Sequence, residues 1–69
     1  MERGDLEVLS EILGGANSVN AISRNLGVSW ATVRRRVDSL AERGFVIDEN
    51  GVIKLTKLGE TVAKGLSKN

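Results

Sequence analysis

The stretch from Ile22 to Val46, ISRNLGVSWATVRRRVDSLAERGFV, constrains the fold of this chain more than any other part of it. It reads as a short helix, a turn pinned by Gly27, and a longer helix that opens at Ser29 and carries Arg34, Arg35 and Arg36 on its first turns. Two helices joined by so short a turn must meet at a sharp corner, which presents the start of the second helix outward. A basic helix start held in that way suits a DNA groove, and this makes DNA binding the leading expectation, ahead of any chemistry.

The flanking segments extend the pattern. Leu6, Leu9, Ile12 and Leu13 recur at helical spacing, with Asp5 before them as candidate N-cap and Gly14-Gly15 after them as a stop. Ser18 caps a second helix whose apolar face is Val19, Ile22 and Leu26, and Gly27 falls where a residue of positive φ ends it. Ser29 caps the third helix, in which Val33, Val37 and Leu40 face the core while Ala31, Arg35 and Asp38 lie opposite, and Gly44 closes it. The period then changes. Phe45-Val46-Ile47 and Val52-Ile53 are strand-like, and Asn50-Gly51 between them is a strong signal for a two-residue hairpin turn. From Thr56 as cap, Leu58, Val62 and Leu66 share one face of a fourth helix, preceded by Leu55. Gly59 and Gly65 weaken that helix by roughly 1 kcal/mol each relative to alanine, so its order depends on packing. The expectation is one domain over residues 1–69, mainly α with a small β-hairpin.

Composition narrows the function classes. A chain of 69 residues buries only about 60% of its unfolded surface, which argues against a large enclosed cleft. It has no cysteine, histidine or tyrosine, so thiolate and imidazole metal sites and the usual general base near neutral pH are missing. No converging carboxylate pair or Gly-rich phosphate loop is visible, and neither an enzyme nor a cofactor, metal or small-molecule ligand is expected. No apolar run approaches the ~18 residues of a membrane span, and the opening MERGDLEVL lacks a signal peptide's pattern; the expectation is a cytoplasmic protein without a membrane partner. Net charge is only +1, but it is unevenly spread. Residues 1–15 carry −3, residues 22–46 carry +3, Asp48 and Glu49 give −2 to residues 47–53, and residues 54–69 carry +3. A polyanion can orient such a molecule despite its small total charge.

The order helix, helix, helix, hairpin, helix resembles a winged helix-turn-helix DNA-binding domain of the kind found in small bacterial and archaeal transcriptional regulators, MarR-like and related. AISRNLGVSWATVRRRVDSLAERGFV is similar to the family's two helices with their Leu-Gly-Val-Ser corner and Leu-x-x-x-Gly-Phe/Leu-Val exit. IDENGVIKL resembles its wing, and LTKLGETVAKGL the opening of the helix after the wing. The resemblance covers roughly residues 5–67. It implies a three-helix core, a two-stranded wing and a C-terminal helix, with the third helix as the recognition helix.

Carried onto this sequence, the base-facing positions are Trp30, Ala31, Arg34 and Arg35, with Ser29 and Thr32 near phosphates. The chemistry agrees: an arginine fork holds guanine O6 and N7 together, and helix N-terminal amides and hydroxyls suit phosphate oxygens. The bland alternative is a solvated basic face in which each arginine meets a nearby carboxylate. Arg36 lies beside the apolar stripe, next to Leu40, and is expected to lie along the protein, paired with an acidic side chain such as one from the first helix, or to touch a phosphate. Trp30 either packs half-buried against the second helix or lies on the DNA. Arg24, Lys54 and Lys57 are further candidate backbone contacts.

The hairpin tip Asp48-Glu49-Asn50-Gly51 is short and acidic where a minor-groove wing would offer Arg or Lys. It is therefore expected to be structural or to meet a protein. Apolar residues on the first and fourth helices, Leu9, Ile12, Leu58, Val62 and Leu66, either complete a monomer core or form a two-fold interface, and a homodimer is expected. The functional expectation is sequence-specific binding of double-stranded DNA in the major groove by a minimal transcriptional regulator. The alternative is a protein-interaction module within a larger assembly, which would have no need of Arg34 and Arg35 at the helix start.

Overall fold

The computed structural model describes residues 1–66, Leu66 by its backbone alone, so the expected place of the Leu66 side chain lies outside the described residues. The order is α1 (Arg3–Leu13), α2 (Val19–Leu26), α3 (Trp30–Glu42), β1 (Val46–Glu49), β2 (Val52–Leu55) and α4 (Lys57–Leu66). Val8, Leu9 and Ile12 of α1, Ile22 of α2, Val33, Val37 and Leu40 of α3, Val46 and Ile53 of the hairpin and Ala63 of α4 are buried together in one core.

Local chemistry fixes the corner that carries the site. Ser18 Oγ accepts from the Ala21 amide at 3.1 Å and starts α2, and Gly27, at φ 66°, ends it. Ser23 Oγ donates to the Val28 carbonyl at 2.5 Å while the Val28 amide donates to the Ser23 carbonyl at 3.2 Å, closing the turn from both sides. Ser29 Oγ then accepts from the Thr32 amide at 3.2 Å and starts α3. At the far end, Gly44 takes φ 81°, its amide donates to the Ala41 carbonyl and the Phe45 amide to the Leu40 carbonyl, the paired bonds of a Schellman stop.

The hairpin is antiparallel with Glu49 opposite Val52, leaving Asn50 and Gly51 as a two-residue loop. Both have positive φ, 53° and 88°, as a type I′ turn requires. The Ile53 amide donates to the Asn17 carbonyl at 2.8 Å, which ties β2 to the loop after α1.

Three expectations need correction. Asp5 is not an N-cap: α1 begins two residues earlier, the Asp5 and Leu6 amides donate to the Glu2 carbonyl, and Asp5 is 8% exposed in the first turn. There it accepts from Arg43 Nη2 at 3.0 Å, joining α1 to the end of α3. In α4 the inward face is turned from the expected one: Leu58 is 52% exposed, and Gly59 and Ala63 are buried instead. The cause is close approach. A Cβ at Gly59 would penetrate the Phe45 carbonyl oxygen and sit 2.9 Å from its carbon, so only glycine lets α4 dock on the exit of α3. Thr56 fastens that contact, its amide donating to the Phe45 carbonyl at 3.0 Å and its hydroxyl to the Gly44 carbonyl at 2.6 Å while accepting from the Gly59 amide at 3.1 Å. Lastly, Leu9 and Ile12 are buried within the monomer, which removes two of the residues offered for a two-fold interface.

The Arg43–Asp5 pair yields a stability expectation. Arg43→Ala leaves the Asp5 carboxylate largely buried without its cation, which costs about 1–3 kcal/mol. The half-exposed arginine itself contributes little through Coulomb attraction. Urea titration should show the midpoint falling at constant slope; an unmoved midpoint would mean that water replaces the arginine without loss.

Candidate nucleic-acid interface

The exposed start of α3 divides its basic residues between two sides. Trp30 and Arg34 border a shallow cleft completed by Ser18, Val19 and Asn20 of α2 and its N-cap and by Gly51 of the hairpin tip. Arg35 and Arg36 border a broader cleft on the other side, against the start of α1. The three consecutive arginines therefore do not act as one patch.

Ser29 and Thr32 are joined: Ser29 Oγ donates to Thr32 Oγ1 at 2.9 Å. Since Ser29 also receives the Thr32 amide, its hydroxyl is committed to the cap, and Thr32 keeps the hydroxyl hydrogen that a phosphate could accept. Ala31 is exposed and small, which lets another surface come close to the helix. Trp30 is 52% exposed, so it is a half-open side chain beside α2 and available to a ligand.

Arg34 is held by two carboxylates. Its Nη2 lies 2.5 Å from Asp38 Oδ1 and 2.8 Å from Asp48 Oδ2, and its Nε donates to Asp38 Oδ1 at 3.1 Å. Asp48 also accepts the Gly51 amide at 2.9 Å through Oδ1. Asp48 of the acidic wing tip is thus turned back onto α3, while Glu49 lies 3.5 Å from Lys54. Hydrogen bonds to Asp38 and then Asp48 raise the Arg34 pKa above its ordinary value. The Arg34 bond, followed by the Gly51 amide, lowers that of Asp48.

Because the folded Asp48 carboxyl titrates below its ordinary value, its contribution to stability is complete above that value and is lost as pH falls through the lowered one. Carboxyl-carbon NMR should place its midpoint below the ordinary aspartate value. Arg34→Gln should return the midpoint toward that value, and an unmoved midpoint would show that the Gly51 amide alone sets it.

Arg35 is exposed, and among the described residues it has no hydrogen bond or ion pair. Arg36 lies over the backbone of Gly4, where a Cβ would be 2.6 Å from its Nη1, so glycine makes room for the guanidinium on α1. The acidic partner on the first helix that Arg36 was expected to find is taken instead by Arg43, seven residues on at the C-cap of α3. Arg24 on α2, Lys54 on β2 and Lys57 at the start of α4 are exposed, Lys54 within reach of Glu49. Sequence reasoning missed Asp48 as partner to Arg34. Asp38, four residues along the same helix, was a visible signal, whereas Asp48 is reached only through the hairpin.

A helix-turn-helix corner, a basic start to its second helix α3 and a two-stranded wing packed beside it define a winged helix-turn-helix domain. The chain belongs to the family of the HVO_A0261 N-terminal domain, whose model matches residues 3–69. It is 40% identical over 65 residues to the HTH-type transcriptional regulator Ptr1 of Methanocaldococcus jannaschii, covering 91% of this chain and 44% of that protein. A MarR/EmrR family transcriptional regulator from Acinetobacter has a similar structure, with a TM-score of 0.86 and 28% identity over 97% of this chain and 50% of that one. A MarR family protein of Mycobacterium tuberculosis, at 18% identity and a TM-score of 0.88, shares the fold over 97% of this chain and 52% of its own. The chain spans about half the length of these regulators. The same fold also matches 19% of an O-methyltransferase of neocarzinostatin biosynthesis, with a TM-score of 0.74 over 83% of this chain. Among the described residues no helix is long and apolar enough to cross a membrane.

Proposed function

We propose that this domain binds double-stranded DNA sequence-specifically by setting the first turns of α3 in the major groove, as a cytoplasmic transcriptional regulator or the DNA-binding part of one. The observation that carries the reading is Arg35, an exposed guanidinium without a carboxylate partner among the described residues, one turn beyond small, exposed Ala31 at the outward start of α3. That is the placement an arginine needs to reach a guanine edge. Thr32 and the free amides of the helix start are suited to flanking phosphates. Asp38 and Glu42 further along α3 are exposed and acidic, so the approach is by the first turns and not by the whole helix.

Fluorescence anisotropy of a labelled duplex at several salt concentrations tests this. Binding should weaken steeply with salt as counterions return to the phosphates. An absence of binding at low salt would refute the reading. The alternative, an interaction module in a larger assembly, gains support from one observation, the like-folded stretch within an O-methyltransferase; it requires no effect of Arg35 on DNA.

The second part of the reading is a homodimer. Its support is Leu58, half-exposed on α4 with partly buried Val62 on the same helix. Two copies related by a two-fold axis would address half-sites about 34–36 Å apart. Sedimentation equilibrium at micromolar concentration should give twice the chain mass, and a clean monomer with one protein per duplex would refute the dimer.

A further inference from the structure

Arg34 stands at the start of the recognition helix, yet both of its two-pronged edges are occupied. A guanidinium grips two acceptors side by side through Nε with Nη2, or through Nη1 with Nη2. Nη2 belongs to both pairs, and its two hydrogens are directed at two carboxylates, Asp38 at 2.5 Å and Asp48 at 2.8 Å. While both stay, Arg34 has no fork to offer a guanine. Of the two partners Asp48 is the better fixed: its side chain is 25% exposed against 63% for Asp38, and the Gly51 amide holds its other oxygen.

We propose that Asp48 is a specificity-determining residue of the DNA site: from the wing tip it keeps Arg34 occupied, so that Arg34 turns to DNA only where a base edge replaces the carboxylate. The proposal rests on the DNA-binding reading above. A phosphate brings the same kind of charge as the carboxylate it would displace, and it must compete with a partner held in place by the hairpin. A guanine in the major groove adds a second, aligned acceptor. On non-cognate DNA Arg34 therefore remains on the wing and releases no counterion, whereas on a cognate site it leaves the wing for the base. The acidic tip, out of place for a minor-groove wing, has on this view a use that depends on its charge.

The test is Asp48→Asn, which removes the charge but retains an oxygen for the Gly51 amide and a residue that suits the turn. Circular dichroism verifies the fold. Anisotropy is measured with a random-sequence duplex pool and with the duplex that the wild-type domain selects from it. The variant should bind the pool with a log–log salt slope steeper by about 0.9, which is about eight-fold tighter at 0.1 M relative to 1 M salt. Its affinity for the selected duplex should rise less, so that discrimination falls. In an Arg34→Gln background the same change should leave pool binding within about two-fold, since no second freed cation adds to the slope. Unchanged pool affinity and slope, with the wild type binding normally, would overturn the proposal alone. An equal gain in the Arg34→Gln background would overturn it too, because the effect would then be bulk charge. If neither protein binds any duplex at low salt, the DNA-binding reading fails and the proposal with it.

Discussion

Gly59→Ala should lower the melting temperature by roughly 10 °C or more, although alanine is the better helix former by about 1 kcal/mol. The sign is decided by what the new methyl meets. It would penetrate the Phe45 carbonyl oxygen and stand 2.9 Å from the carbonyl carbon, and neither can yield as the tip of a flexible side chain would. That carbonyl also accepts the Thr56 amide at 3.0 Å, so moving it disturbs the N-terminal anchor of α4. Overpacking of this kind costs about 3 kcal/mol or more, which leaves a net loss of at least about 2 kcal/mol after the helix-propensity gain. A domain of this size has only about 3–10 kcal/mol in total. Gly65→Ala in the same helix should act oppositely, because nothing among the described residues lies within 4 Å of the added methyl. Thermal circular dichroism of both variants reads the contrast. A Gly59→Ala domain as stable as the wild type would mean that α4 does not press on the exit of α3.

The second large effect concerns DNA. Arg35→Ala should weaken binding to a selected duplex by about 1–3 kcal/mol and relax the preference at one base pair. Stability should scarcely move, because the side chain is exposed and has no hydrogen bond or ion pair among the described residues. Competition anisotropy against single-base variants of the duplex separates the two readings of this residue. Loss confined to one position identifies a base contact, whereas equal loss on every sequence makes Arg35 a phosphate contact.

Features governed by neighbouring residues were legible in the sequence. Ser18 and Ser29 cap their helices, Gly27 and Gly44 take positive φ, and Asn50-Gly51 turns the hairpin, because each depends on chemistry within a few residues. What escaped depends on where distant segments arrive. Gly59 reads as a weakness in a helix until the Phe45 carbonyl is seen against it, and with small residues turned inward Leu58 is left half-exposed. Asp5 has the composition of a cap, but its carboxylate serves Arg43, 38 residues away. The candidate site divides in the same way. A basic helix start at the corner follows from the sequence, but the partition of its arginines follows from the hairpin and α1: Asp48 claims Arg34, Gly4 seats Arg36, and Arg35 is left to solvent.

The central claim, that the first turns of α3 are the DNA-contacting surface, is tested most directly by titrating the isotope-labelled domain with a selected duplex and following each backbone amide by NMR. The largest shifts should fall on Ser29 to Arg35, with smaller ones at Gly51 as the wing releases Arg34. Shifts confined to α4 and the outer face of the hairpin, or none at low salt, would contradict it.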